Sequence, residues 1–312
     1  STMGLAKKLR HEQPEVFHSV EHARGSVRDL RGERGRKCRG KADSSRFYQH
    51  KTKVSAVPMP ESDAEPWKPY TLPNGRGLVL GDVHVPYHDK TALSVAVGHA
   101  KRVGFGDFVV LLGDTMDCYQ ASKFNRDPRR RCLAGEVDAV RLLIAWLQEQ
   151  LPTARIVYKV GNHDLRLQHY IWQKAPELEG IEGLTLREQL KLDDSQVDYV
   201  ASERIIYAGG LTMLHGHEFG GSIFSPVNPA RGMFLNARSS TLSAHQHNAS
   251  SHGEPNIRGH YTGCWSIGCC CDLHPQYRPL NKWAHGFALL TVEDEEFEVE
   301  NFKLIHGKPY RA

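Results

Sequence analysis

The amino-acid sequence predicts an α/β fold in which two packed mixed β-sheets are flanked by helices and preceded by a basic N-terminal arm. In the middle of the chain, continuous apolar runs typical of strands buried on both faces alternate with segments of helical apolar spacing. In the C-terminal half, shorter apolar runs are separated by tight turns, as in antiparallel hairpins. The first pattern predicts a parallel sheet, and the second predicts another sheet packed against it.

The first 56 residues make up the basic arm. They contain 14 Lys and Arg against 6 Asp and Glu, a net charge of +8, whereas the whole chain of 312 residues carries +4. Val16, Val20, Val27 and Leu30 form a partial helical stripe that Gly25 interrupts, so we expect an arm that is partly helical or disordered. A basic arm favours nucleic acid as a partner.

A proline-rich linker is predicted over residues 57–75, where Asn74 and Gly75 close it as a turn. The remaining residues, 76–312, suffice for one domain of ordinary size. No apolar run reaches the roughly 18 residues that span a membrane, and the start of the chain has no signal-peptide pattern. We therefore expect a cytoplasmic protein with no membrane partner.

The first half of this domain is predicted to alternate strands with helices. The strands are Leu78–Leu80, Phe108–Leu112 and Ile156–Val160, and the helices are Ala92–Val103 and Glu136–Gln150. Each strand ends at a glycine that is followed by Asp or Asn. Because ligands of open α/β sheets bind beyond the carboxyl ends of the strands, we expect the functional site at this edge.

The second half is predicted to contain two hairpins. The first is Ile205–Leu214, folded at Gly209 and Gly210, and the second joins Phe287–Val292 to Phe297–Leu304 across an acidic turn. These antiparallel pairs distinguish the second half from the parallel first half.

Five short polar segments carry the candidate chemistry. They are Gly81-Asp82-Val83-His84, Gly113-Asp114-Thr115-Met116-Asp117, Gly161-Asn162-His163-Asp164, Leu214-His215-Gly216-His217 and Ala244-His245-Gln246-His247. Singly each segment is weak evidence, because an Asp after a strand commonly caps a helix. Together their carboxylate, imidazole and amide groups suit divalent ions, and a bridging carboxylate can hold two ions about 3.5–4 Å apart.

In order and spacing these segments resemble the signature of the calcineurin-like metallophosphoesterases, which runs D-x-H, G-D-x-x-D/H, G-N-H-D/E, H and G-H-x-H. The resemblance covers about residues 76–305 and implies a four-layer α/β-β/α sandwich. It assigns Asp82, His84 and His247 to the first metal ion, Asn162, His215 and His245 to the second, and Asp114 to a bridging position. The visible departure is Ala244, where the family usually has glycine.

The resemblance also implies a mechanism. Two divalent ions, with manganese expected first and iron, zinc or nickel as alternatives, would polarise the phosphoryl oxygens and generate a hydroxide nucleophile. His163 is expected to stabilise the developing charge or to protonate the leaving oxygen, with Asp164 orienting its ring. For Asp164 a helix N-cap is an equal alternative. Asp117 is expected to orient a ligand histidine or the bridging solvent.

The substrate is predicted from charge. Basic residues follow the second and third motifs: Lys123, Arg126, Arg129, Arg130, Arg131 and Arg166. We expect Arg126 and Arg166 to contact substrate phosphates, and His217 is a further candidate; a solvated loop position is the alternative for each. Together with the basic arm, they favour nucleic acid or a nucleotide, cleaved at a phosphodiester or phosphomonoester bond.

Two other functions stay open. One is a nucleic-acid-binding protein with a structural metal site, and the other is a phosphoprotein phosphatase. Protein serine/threonine phosphatases of the resembled superfamily continue the second motif with Asp-Arg-Gly, whereas here Asp117 is followed by Cys118-Tyr119-Gln120. The phosphate-binding arginine of those enzymes is therefore missing.

Four of the seven cysteines cluster at Cys264, Cys269, Cys270 and Cys271. Their spacing matches neither a disulfide framework nor paired C-x-x-C zinc knuckles. The cluster therefore favours small buried side chains over a separate metal site.

Overall fold

The structure, a computed structural model, describes residues 1–31, 59–124, 126–127, 129, 132–220 and 227–312. It divides into two compact units, Ser1–Glu65 and Pro66–Ala312. The division falls within the predicted linker. No helix in the described ranges is both long enough and apolar enough to cross a bilayer.

The N-terminal unit contains two packed helices, α1 (Thr2–Glu12) and α2 (Val20–Leu30). Ser19 caps α2 by accepting a hydrogen bond from the backbone of His22 at 3.0 Å. Gly25 lies inside α2 and does not interrupt it. Val27 is the one residue of the predicted apolar stripe that is buried. The rest of the predicted arm, residues 32–56, lies outside the described part of the chain.

The second unit contains strands and helices in alternation. The strands are β1 (Tyr70–Thr71), β2 (Gly75–Leu80), β3 (Phe108–Leu112), β4 (Arg155–Lys159), β5 (Asp198–Val200), β6 (Ile206–Ala208), β7 (Leu211–Leu214), β8 (Thr241–Ser243), β9 (Ser250–Pro255), β10 (Tyr261–Ser266), β11 (Gly286–Glu293), β12 (Glu296–Ile305) and β13 (Lys308–Arg311). The helices are α3 (Lys90–Val103), α4 (Leu133–Gln150), α5 (Arg166–Lys174), α6 (Leu186–Gln189) and α7 (Pro229–Ala237).

The strands form two sheets. Sheet I has the order β13-β12-β11-β2-β3-β4-β5, and sheet II has the order β1-β6-β7-β8-β10-β9. In sheet I the strands β2 to β5 are parallel, while β11 to β13 join antiparallel. Both sheets are mixed, and both predicted hairpins are present as β6–β7 and β11–β12. The predicted fold class is confirmed.

Alternation along β2 explains why its sequence is apolar on both faces. Leu78 and Leu80 belong to a core between sheet I and helices α3 and α4, whereas Val79 belongs to a second core between the two sheets. On the outer face of sheet II, Met233 of α7 packs against Cys264. Helices, sheet I, sheet II and α7 therefore form successive layers.

The predicted element boundaries differ from the structure by a few residues at most. Helix α3 begins at Lys90 because the Asp89 side chain accepts a hydrogen bond from the backbone N–H of Ala92 at 2.7 Å. Strand β1 is a larger difference, since it lies inside the predicted linker of residues 57–75. It pairs in parallel with β6, and the Tyr70 hydroxyl donates a hydrogen bond to Asp198. A strand of two residues is too short to carry a recognisable alternation.

Candidate metal centre

The five motifs meet where the two sheets present the carboxyl ends of their strands. Asp82 and His84 follow β2, Asp114 follows β3, Asn162 follows β4, His215 follows β7, and His245 and His247 follow β8. Sheet I therefore supplies the carboxylates, the amide and one histidine, and sheet II supplies three histidines.

The residues predicted for the first ion lie close together. The Nε2 atoms of His84 and His247 are 3.3 Å apart, and Asp82 Oδ1 lies 3.3 Å from His247 Nε2 and 3.9 Å from His84 Nε2. Asp82 Oδ1 is buried and accepts no hydrogen bond. Three lone-pair atoms that converge in this way, one of them unsatisfied, fit a divalent cation.

The residues predicted for the second ion form a matching group. His215 Nε2 lies 3.2 Å from Asp114 Oδ2 and 3.2 Å from His245 Nδ1. The buried Oδ1 of Asn162 has no hydrogen-bond partner. Asn162 is the neighbour of His163, whose backbone N–H donates to Asp114 Oδ1 at 2.7 Å, so it lies beside the same carboxylate.

Asp114 connects the two groups. Its Oδ2 is also 4.0 Å from His84 Nε2. Two triads whose ligand atoms lie within 4.8 Å of one another, Asp82-His84-Asp114 and Asp114-His215-His245, share this residue. The residues present therefore fit two metal ions with a carboxylate between them.

Contacts at Nδ1, the ring nitrogen that does not face the candidate metal position, orient the rings of His215 and His84. The Nδ1 of His215 lies 2.9 Å from the carbonyl oxygen of Leu112, and the Nδ1 of His84 lies 2.9 Å from Asp117 Oδ1. Both acceptors fix the proton on Nδ1 and leave Nε2 free for a metal ion. In addition, the backbone N–H of His245 donates to Asp82 Oδ2 at 2.8 Å, which joins a ligand loop of sheet II to one of sheet I.

Backbone strain is concentrated at the centre. Five of the seven candidate ligands have a positive φ, namely Asp82 (50°), His84 (49°), Asp114 (51°), His245 (69°) and His247 (53°). Residues other than glycine rarely adopt this left-handed conformation, and it persists where the surrounding structure requires it, commonly at functional sites.

Two of the motif glycines are required by close approach. A Cβ on Gly113 would lie 2.3 Å from the His215 ring, and one on Gly161 would lie 2.3 Å from Asp114 Oδ1. Ala244 stands where the resembled family usually has glycine, and Gly81 makes room for it. A Cβ on Gly81 would lie 2.5 Å from the Ala244 methyl group. The missing side chain at Gly81 provides the space that Ala244 occupies.

His163 and Arg166 extend the centre toward solvent. His163 Nδ1 lies 2.9 Å from Asp117 Oδ1, its Nε2 lies 2.8 Å from an Arg166 guanidinium nitrogen, and Arg166 also donates to the Asp117 carbonyl at 2.9 Å. Burial alone would raise the pKa of Asp117, but hydrogen bonds from His163 and His84 outweigh it and hold that pKa well below its ordinary value. Burial lowers the pKa of His163.

Asp164 does not take its predicted place. It accepts hydrogen bonds from the backbone of Met116 at 2.9 Å, the backbone of Gly161 at 2.8 Å and the hydroxyl of Tyr158 at 2.8 Å, and it caps no helix. Burial, followed by the charge of Asp114, raises its pKa to about 6. Asp117 holds the His163 ring instead, because Asp164 is turned inward to bind the loop backbone.

The structure places the arginines predicted to contact substrate in different surroundings. Arg166 reaches His163, whereas Arg126 donates to the carbonyl of Gln120 and Arg129 pairs with Asp127 at 2.8 Å. Neither Arg126 nor Arg166 is among the residues that line the metal cleft. Arg130 and Arg131 lie outside the described residues.

His217 lies next to the centre without converging on it. Its ring centroid is 5.3 Å from that of His215, and its Nε2 lies 2.9 Å from the Ser202 hydroxyl. The contact with Ser202 fits a supporting position better than a direct ligand.

All four clustered cysteines are buried and none forms a disulfide. Cys271 has a further contact, because its Sγ lies 3.7 Å from Nδ1 of His247. The thiol therefore adjoins the candidate centre, and ligand atoms of Cys271, His84 and His247 lie within 4.8 Å of one another.

The sequence analysis missed one wall of the cleft. A cavity of about 810 Å³ opens between the metal ligands and residues 273–283, here called the aromatic loop. Tyr277 and Trp283 line it, and the Trp283 ring is 4.2 Å from that of His247. Aromatic and basic residues between the last ligand motif and the last hairpin were the available signal, but no motif marks them.

Comparison with known proteins gives distant matches. No family model matches the chain. The "Gene 54 protein" of Mycobacterium phage L5 is 26% identical over 248 residues, which cover 75% of this chain and 95% of that protein. Vacuolar protein sorting 29 from Cryptosporidium parvum is 13% identical with a TM-score of 0.40, covering 77% of this chain and 96% of that one. Zinc-complexed Vps29 from Entamoeba histolytica is 14% identical with a TM-score of 0.36, covering 75% and 96%.

The architecture of the chain is the arrangement of two packed mixed sheets and flanking helices that the sequence predicts. Two mixed sheets pack between helices, and a cluster of Asp and His side chains suited to a dinuclear site lies at their common edge.

Proposed function

We propose that the protein is a dinuclear-metal phosphoesterase that hydrolyses phosphodiester or phosphomonoester bonds of nucleic acid or a nucleotide. The observation that carries the proposal is the pair of triads sharing Asp114. The unsatisfied buried oxygens of Asp82 and Asn162 support it, because such atoms cost free energy unless a cation binds them.

Two divalent ions at these residues would supply Lewis-acid stabilisation of the phosphoryl group and a water molecule of lowered pKa. Asp82, His84 and His247 would hold one ion, Asn162, His215 and His245 the other, and Asp114 both. A structural metal site is normally closed and mononuclear, whereas this one faces an open cleft.

His163 is proposed to act on the substrate directly. The ring lines the cleft, with its Nδ1 proton held by Asp117 and its Nε2 accepting a hydrogen bond from the Arg166 guanidinium. A substrate phosphate that takes over the Arg166 guanidinium would free Nε2, and a proton taken up there would let His163 stabilise the charge that develops on the phosphoryl or leaving oxygen. The net charge of +8 on residues 1–56 supports a polyanionic substrate.

The proposal is tested with bis(p-nitrophenyl) phosphate and p-nitrophenyl phosphate, each assayed with Mn, Ni, Mg and Zn in turn. We expect hydrolysis that requires an added metal and that is lost in Asp114→Ala but kept in Asp194→Ala, an exposed carboxylate used as the matched control. Bound metal is measured in parallel by elemental analysis, with two ions expected per chain. Metal-independent hydrolysis, or full activity in Asp114→Ala, contradicts the proposal.

A further inference from the structure

The aromatic loop, residues 273–283, faces the metal ligands across the cleft. It contains two cations, Arg278 and Lys282, and no carboxylate. Both cations line the cavity together with Tyr277, Leu280 and Trp283. The volume of about 810 Å³ lies within the range of about 300–1,000 Å³ that is typical of small-ligand sites.

The loop is held in shape by its own hydrogen bonds. The Asn281 side chain donates to the carbonyls of Leu273 at 2.7 Å and Arg278 at 2.9 Å, and its Oδ1 accepts from the backbone of Trp283 at 2.8 Å. At the end of the loop, the backbone N–H of Ala284 donates to the carbonyl of the candidate ligand His247 at 2.8 Å. The backbone of the loop is therefore preorganised and tied directly to a candidate metal ligand.

The aromatic side chains form a platform that reaches outward from the centre. Trp283 packs against His247, and Tyr277 packs edge-on against Trp283 with ring centroids 6.2 Å apart. Tyr277 is 71% exposed and Leu280 is 91% exposed. A large apolar ring exposed in a fixed position beside a cationic cleft is a surface on which a flat, uncharged group can stack.

We propose that the aromatic loop is a base-stacking platform that selects single-stranded nucleic acid, with an unpaired base on Tyr277 and neighbouring phosphates on Arg278 and Lys282. Stacking needs an exposed base face, which a duplex does not offer, and aromatic residues within a basic groove are the features by which proteins bind single strands. The inference deepens the proposed function, because it rests on the phosphoryl group lying at the metal centre.

The experiment uses the full chain with Mn and three substrates of equal phosphate content. They are a thymidylate oligomer of about ten nucleotides, an abasic oligomer of the same length, and a duplex. We expect kcat/KM for the thymidylate oligomer to exceed that for the other two by about 5- to 150-fold, the value of one stacked base. Equal rates on the thymidylate and abasic oligomers, or an equal rate on the duplex, overturn the inference.

Variants assign the effect to the platform. Tyr277→Ala should remove the preference, so that kcat/KM for the thymidylate oligomer falls to that for the abasic oligomer, whereas Tyr277→Phe keeps the ring and the preference. Tyr261→Ala, which removes an exposed tyrosine from β10, is the matched control. An equal decrease in kcat/KM for both oligomers in Tyr277→Ala, or no decrease for either, contradicts the base-stacking proposal.

A binding measurement separates this inference from the proposed function. Fluorescein-labelled thymidylate and abasic oligomers are titrated with the Asp114→Ala protein, and anisotropy is followed at fixed salt. Preferential binding of the thymidylate oligomer, without hydrolysis by the unaltered protein, supports the platform and defeats the proposed function. Hydrolysis without preferential binding of the thymidylate oligomer supports the proposed function and contradicts the base-stacking platform.

Discussion

The two sheets contribute different chemistry to one centre. Sheet I provides the carboxylates of Asp82 and Asp114 and the amide of Asn162, whereas the three ligands from sheet II are all imidazoles. Carboxylates neutralise the charge of two divalent ions and can bridge them, while neutral imidazoles complete the coordination. Substitutions on sheet I are therefore expected to abolish the reaction, and those on sheet II to weaken metal binding first.

We expect the largest loss from Asp114→Ala, which removes the shared carboxylate. Hydrolysis should fall by about 10³-fold or more, because several kcal/mol of transition-state stabilisation depend on the metal pair. The matched change on sheet II, His245→Ala, should lose less and should recover as the Mn concentration is raised. Steady-state rates over a Mn titration measure both, and recovery of Asp114→Ala to the same extent as His245→Ala would remove the distinction between the sheets.

His163→Asn is expected to lower kcat by about 10²- to 10³-fold while bound metal stays unchanged. Both ring nitrogens of His163 already have partners in Asp117 and Arg166, so we expect its loss to affect charge development more than coordination. His169→Asn, an exposed histidine on α5, is the control. Loss of bound metal in His163→Asn would place this ring among the ligands.

Asp117→Asn should lower both metal affinity and kcat, by about 10- to 100-fold, because the carboxylate holds a ligand ring and the His163 ring together. Isothermal titration with Mn measures the first effect and steady-state kinetics the second. A decrease in kcat alone would mean that Asp117 serves His163 and not His84.

The smallest effect is expected from Cys271→Ala, on the sheet II side. Losing the contact between Sγ and His247 Nδ1 should weaken metal binding by about fivefold, the value of one modest hydrogen bond. Cys264→Ala removes an equally buried cysteine that packs against α7 and should leave metal binding unchanged. Equal losses in the two variants would attribute the change to general packing.

The two sheets also differ in how well their strands can be predicted from the sequence. Sheet I is predictable because β2, β3 and β4 are continuous apolar runs that each end at a glycine and a ligand, so local sequence specifies both strand and site. The hairpins β6–β7 and β11–β12 are recognisable from their turns. Strand β1 is hidden, because two residues in a proline-rich stretch gain their structure only by pairing with β6.

Side-chain partners were harder to predict than positions. Asp164 follows His163 directly in sequence, yet the loop turns it onto the backbone of Met116 and Gly161 and leaves Asp117, 46 residues away, to hold the His163 ring. The contact between Cys271 and His247 and the aromatic loop likewise depend on tertiary packing. Adjacency along a chain does not determine which side chains meet in the folded protein.

The hydrogen bond from His245 N–H to Asp82 Oδ2 crosses from one sheet to the other at the centre. Ions held by ligands of both sheets would join the two sheets at the same place. They would bind the folded chain far more tightly than the unfolded one. Thermal denaturation would then depend on the metal concentration, because a chelator would remove the ions that join the ligands of the two sheets, and the chain would unfold at a lower temperature.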